Sequence, residues 1–252
     1  MTRKRMLVWL GLAVLVAIPL EAQRRRRGGW GGDFESRIMP NTPYDGRFTF
    51  ARIRWAGFGN MTNEGPGWMH DYPWAEQNLM QILREVTTLE PYLDGGNVMN
   101  LDDPELMKYP WAYMSEPGPW EPSAAEVEGL RNYLLKGGMI VFDDFQGNYD
   151  WYNLEMQMQR VLPGGTWIRV QPGHPVFDTF FTVENPESIF PGSAILGLFE
   201  DNDPEKRLMA IANYNNDLGE NWQWSPQGFV PIDMSNESYK LGVNYVIYGL
   251  TR

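Results

Sequence analysis

The chain has 252 residues, 43% hydrophobic and 14% aromatic, which is enough to bury one sizeable core and favours a single domain. It contains no cysteine, which excludes disulfides, zinc–cysteine sites, iron–sulfur clusters, a thiol nucleophile and a lipid-modified cysteine. Its net charge of −11 is divided: residues 1–27 hold seven Lys/Arg against one Asp/Glu, so residues 28–252 hold 14 against 31, or −17, a surface that repels phosphate backbones and argues against nucleic acid.

In chain order, Arg3, Lys4 and Arg5 precede an apolar run, Met6 to Leu20, and Ala22 offers a cleavage residue, so residues 1–22 read as a signal peptide and the mature chain starts near Gln23. The apolar run is shorter than the ~20 residues of a spanning helix, with an uncleaved anchor as the competing reading. Either way the expected location is outside the cytoplasm, in a periplasm or cell envelope. Residues 23–47 read as a basic, Gly-rich arm, in which Arg24, Arg25, Arg26 and Arg27 either touch anionic lipid weakly or serve as a plain tether.

Residues 48–252 read as one α/β domain. Phe48, Phe50, Ile53 and Trp55 fit a strand, and a helix follows from Pro73 with Ala75, Leu79, Ile82, Leu83 and Val86 on one face and Asp71 placed as its cap. Trp111 to Met114 is a strand. Ser123 and Glu126 form a capping box for a helix that buries Val127, Leu130 and Leu134 and stops at Gly137 and Gly138. Met139 to Phe142 is an unbroken apolar strand, as in a parallel sheet covered on both faces, and it ends in Asp143 and Asp144. Leu154, Met158 and Val161 mark a helix, Trp167 to Val170 and Leu208 to Ile211 mark strands, and Tyr239 to Leu250 is a final helix with Leu241, Tyr245 and Tyr248 on one face. This alternation gives a three-layer α/β/α sandwich with a mostly parallel sheet.

Ligands of open α/β sheets sit beyond the carboxyl ends of the strands, which selects Asp143 and Asp144 as metal ligands or a general base; the competing reading has Asp144 capping the following turn. Adjacent strand residues point to opposite faces, so both can serve one cleft only if the chain turns there. The two histidines, His70 and His174, lie in loops, and with Asp71, Asp143 and Asp144 could form an imidazole–carboxylate metal site, although His174 before Pro175 also suits a rigid turn. No Gly-x-Ser-x-Gly elbow, phosphate loop or dinucleotide fingerprint is present, and Ser115 and Ser193 stand alone. Tryptophans near loops either stack on a ligand or fill the core. The polar run Tyr214 to Trp222, with Asp217, would form a pocket wall or a hydrogen-bonded turn.

Several stretches carry a family pattern: Asp71-Tyr72-Pro73-Trp74 with Asn78-Leu79, Leu101 to Leu106 with Tyr109-Pro110, Leu130 to Asp144, His174 to Phe177, Asn216 to Gly219 with Trp222, and Leu241 to Tyr245 with Tyr248. Together they resemble an uncharacterised bacterial family, domain of unknown function number 4159, over about residues 48–252. That resemblance implies a class I glutamine amidotransferase-like, flavodoxin-like fold, shared with trehalose-utilisation-type proteins. Such relatives place a nucleophilic cysteine after the strand that follows the Gly-Gly stop; Asp143 and Asp144 stand here, which excludes amide hydrolysis through a thioester. Some members resemble outward-facing parts of membrane proteins related to aerotolerance proteins. The family's Gly-His after the middle strand is replaced by Ser115-Glu116, which weakens any catalytic carry-over; Glu116 is counted among the ligand-binding candidates.

The leading expectation is an exported, non-catalytic domain that binds a ligand or envelope protein at the strand carboxyl ends through Asp143, Asp144, His174, Asp217, Trp222 and Glu116, with no cofactor. The alternative is a divalent-metal-dependent hydrolase of carbohydrate or amide substrates, its ion drawn from His70, Asp71, Asp144 and His174.

Overall fold

Short apolar segments with the periodicity of buried strands pair into one sheet. The computed structural model describes residues 34–57, 65–187 and 190–252; the signal-like segment and Arg24 to Arg27 lie outside the described residues. Phe34–Arg37 forms one 3-10 turn with the Arg37 guanidinium over the Phe34 ring. The strands are β1 (Ala51–Arg54), β2 (Asn97–Asn100), β3 (Trp111–Ser115), β4 (Met139–Phe145), β5 (Ile168–Arg169), β6 (Ala194–Phe199) and β7 (Leu208–Tyr214), in the order β2-β1-β3-β4-β7-β6-β5. The five strands from β2 to β7 run parallel, and β6 runs antiparallel between β7 and β5.

The helices are α1 (Trp74–Val86), α2 (Ala124–Leu135), α3 (Gly147–Val161), α4 (Leu218–Trp224) and α5 (Ile232–Thr251). Alternation along β3 and β4 sends Trp111, Tyr113, Met139 and Val141 into one core with Leu79, Leu83, Leu218, Trp222, Leu241 and Tyr245 from α1, α4 and α5. Burying each such aliphatic side chain stabilises the fold by about 1.5–3 kcal/mol. On the other face α2 packs on α3, β4 and β7 and buries Val127, Leu130 and Leu134. Its predicted capping box is present: Glu126 N–H donates to Ser123 Oγ at 3.2 Å and Ser123 N–H to Glu126 Oε2 at 2.8 Å. The result is the α/β/α sandwich expected from the alternation.

Several local expectations are corrected. β2 and β6 have no counterpart in the sequence reading. β4 runs past Phe142 through both aspartates, and α5 starts at Ile232, well before Tyr239. Asp71 does not cap α1; Pro73 holds the cap position, and Asp71 contributes only its carbonyl, which accepts from Ala75 N–H at 2.9 Å. The end of the expected arm is built into the domain. Asn41 brackets Val98 with bonds of 2.8 and 2.9 Å, and Thr42 exchanges bonds of 2.8 Å with Asn97, which satisfies the outer edge of β2.

Candidate metal centre

The neighbouring strands β3, β4 and β7 each carry a left-handed residue at or just past their carboxyl ends: Glu116 (φ 48°) after β3, Asp144 (φ 58°) one residue before the end of β4, and Asn215 (φ 54°) after β7, with Asp71 (φ 63°) leading into α1. Such a conformation costs a non-glycine residue about 1–2 kcal/mol, and four of the six non-glycine cases among the described residues lie at this end of the sheet, the others being Asp201 and Asn202 in the turn after β6. At β4 the cause is visible. Its register with β7 breaks between Phe142 and Phe145, and this bulge turns Asp143 inward and Asp144 out to a cleft.

In that cleft His70 Nδ1 lies 2.6 Å from Asp144 Oδ2, 3.7 Å from Asp71 Oδ2 and 3.8 Å from Glu116 Oε1. Ser115 Oγ donates to the same Asp144 oxygen at 3.4 Å. His70, Asp71, Asp144 and Asp217 each offer one ligand atom, all within 4.8 Å of one another. Oxygens on opposite sides of an ion with bonds of about 2.0–2.2 Å stand about 4 Å apart, so small rotamer changes would close this set around a cation. One imidazole and three carboxylates suit a hard or borderline divalent ion. Glu116 stands beside the set, a quarter exposed like His70.

Asp71 is the exceptional member. Its side chain is wholly buried, yet neither carboxylate oxygen accepts a hydrogen bond. Burial drives its pKa up to about 8, with the Asp144 charge adding to the effect and His70 opposing it. Burial, with Asp144, Asp71 and Asp143 nearby, also holds Asp217 well above the ordinary carboxylate range. The His70 imidazole is raised to about 10, first by its hydrogen bond to Asp144. Crowding in a buried cleft thus leaves protons on His70, Asp71 and Asp217, and a divalent cation bound there would displace them and take over the charge they neutralise.

Two buried groups hold this arrangement. Arg52 on β1 donates from Nη1 to the carbonyls of Trp68 and His70 at 3.0 and 2.9 Å, and its Nε pairs with Glu76 of α1, both side chains being fully buried. Asp143 accepts from Tyr113 Oη at 2.7 Å, Asn213 Nδ2 at 2.9 Å, and the N–H groups of Leu218 and Gly219 at 2.8 and 3.0 Å. Desolvation lifts Asp143 to about 6 against those bonds. The first turn of α4 approaches closely: a Cβ on Gly219 would lie 2.6 Å from both Asp71 Oδ2 and Tyr113 Oη.

The sequence candidates thus divide. His70, Asp71, Asp144, Asp217 and Glu116 come together. Asp143 is a correction: it is fully buried as an anchor for α4 and does not face the cleft. His174 is another, because its Nδ1 accepts from Val176 N–H at 3.2 Å and its ring packs on Phe199 and Tyr248 beside a separate cavity, so it joins neither the cleft nor the metal set. Trp222 is the third; α4 turns its indole into the core against Tyr113, while Asp217, Glu220 and Asn221 line the cleft. Arg52 and Glu76 are not among the sequence candidates; for Arg52 the available signal is the pair of arginines, Arg52 and Arg54, within the otherwise largely apolar stretch Phe48 to Trp55.

The family model described as domain of unknown function (DUF4159) matches residues 49–250. No curated protein matches the chain. The chain belongs to the DUF4159 family.

Proposed function

We propose that this DUF4159 domain is a divalent-cation-dependent hydrolase whose ion is held by His70, Asp71, Asp144 and Asp217. The observation that carries the reading is Asp71, a buried carboxylate aimed into the cluster with no hydrogen-bond donor on either oxygen. Leaving such a group unpaired is expensive, and a cation at this point removes the penalty. The ion would polarise a scissile bond and ease deprotonation of water. Glu116, outside the ligand set, is placed at the rim to accept a proton from attacking water, and Arg52 and Asp143 keep the ligands in register. Carbohydrate and amide substrates both remain within this reading, and export by residues 1–22 belongs to it as well. Non-catalytic binding at the same strand ends differs in one measurable respect, turnover.

Titration calorimetry of the full chain with manganese, zinc and magnesium tests the ion, and chromogenic glycosides and anilides test the reaction. One ion per chain, lost in Asp71→Asn, with turnover abolished by chelator and by Glu116→Gln, is the expected result. Failure of all three ions to bind overturns the proposal. Ion binding without turnover of any substrate returns the chain to the binding-only reading.

A further inference from the structure

We propose that the ligand of this cleft is a neutral polyhydroxylated molecule, a carbohydrate or sugar alcohol, in preference to an anion, an amine or a peptide. The inference rests on the cation reading above and names the ligand class of the same site. The cleft, about 590 Å³, lies within the range of small-molecule pockets, about 300–1,000 Å³. Its charged lining is acidic apart from His70: Glu116, Asp144, Asp150, Asp217 and Glu220 face it, and among the described residues no lysine or arginine does. A phosphate or carboxylate ligand would meet this field with only the bound ion and His70 in its favour.

A second observation separates hydroxyls from amines. Asn216 lines the cleft and is nine-tenths buried, its Oδ1 taken by Asp217 N–H at 2.9 Å, while its Nδ2 donates to nothing. That donor requires an oxygen acceptor, which an ammonium group lacks. A hydroxyl meets both demands at once, donating to a carboxylate and accepting from Asn216 once that buried amide turns toward the cleft. A peptide offers one donor and one acceptor per residue along about 3.3–3.6 Å of chain, whereas a polyol repeats both at successive carbons. Only the polyol matches the density of acceptors here. Phe145 and Phe190, also lining the cleft, supply apolar walls for the C–H faces of a sugar ring.

The test is calorimetry on the full chain with and without manganese, using cellobiose, mannitol, inorganic phosphate, N-acetylglycinamide and putrescine as probes. Cellobiose or mannitol should bind when manganese is present, with affinity weakened tenfold or more by Asn216→Ala. Gln146→Ala, at the exposed edge of the cleft, should weaken it threefold or more, and serves if the buried substitution impairs folding. Manganese affinity is measured in the same variants, so loss of the ion is separated from loss of the ligand. Manganese binding with neither polyol bound, or with phosphate, the amide or putrescine preferred, overturns this inference alone, as does polyol affinity unchanged in both variants. Absence of manganese binding overturns the cation reading beneath it.

Discussion

Replacing Asp71 by asparagine should stabilise the cation-free chain and abolish its response to cations. The carboxyl has an ordinary pKa of 3.8 and is held at about 8 in the fold. With about 1.36 kcal/mol per tenfold change in proton affinity, this lowers stability at pH 7 by about 4 kcal/mol relative to a neutral side chain. Asparagine has nearly the same shape, but its buried amide still lacks partners, which takes back about 1–3 kcal/mol. A net gain of about 1–3 kcal/mol remains, or a Tm rise of roughly 3–10 °C for a domain of this size. Thermal and urea unfolding in chelator at neutral pH measures it. Manganese at a hundred times its dissociation constant should then stabilise the parent by about 2.7 kcal/mol and leave the variant unmoved. A variant that melts below the parent in chelator, or that gains as much from manganese, refutes the electrostatic account of this site.

The same charges set the pH dependence. Asp71, Asp143 and Asp217 are all raised, so the folded chain holds protons that the unfolded chain has released, and stability in chelator should fall as pH rises from about 4 to about 8. His70 acts in the same direction: its contribution is complete below 6.5 and lost as pH rises through about 10. Urea unfolding across this window checks the slope, and a stability that climbs toward pH 8 contradicts it. Arg52→Met strands buried Glu76 and should cost about 3–5 kcal/mol. Adding Glu76→Leu should restore stability without restoring cation affinity, because the His70 carbonyl stays unclamped; full recovery of both would show that Arg52 does not position the site. The adjacent aspartates should separate. Asp143→Ala leaves four donors unmet and should lose about 3–5 kcal/mol in urea unfolding, whereas Asp144→Ala removes the His70 partner but also relieves the repulsion on Asp71 and Asp217, so it should cost less than Asp143→Ala yet lose the cation.

What the sequence displays is local order. The Ser123–Glu126 capping box and the apolar run at Met139 are complete within a few residues, and both stand where they were expected. β2 escaped because its sequence, Asn-Val-Met-Asn, has too few apolar positions to show alternation, and Asn97 spends its side chain on Thr42 and Tyr109. At the site, residue types were legible and partnerships were not. His70 and His174 look equivalent as loop histidines, but the turn at Pro175 consumes one while a contact across 74 residues recruits the other. Likewise nothing in the pair Asp143-Asp144 shows which residue faces inward, because the bulge that decides it depends on pairing with β7.

The site is assembled from three distant segments because the fold brings their backbones to adjacent strand ends, and its unfavourable charge is tolerated because separate buried contacts fix each segment. Arg52 and Glu76 tie the His70 segment to β1 and α1, while Asp143 hangs the first turn of α4 on β4 and so delivers Asp217. Asp143 is satisfied by four donors, whereas Asp71, buried a few ångströms from the same helix turn, has none. Two buried carboxyl groups at the same set of strand ends should thus have opposite consequences when removed: loss of Asp143 should weaken the fold, and neutralising Asp71 should strengthen it at the expense of the proposed cation binding. Such an opposition, if measured, is what a site in which stability is given up for function would show.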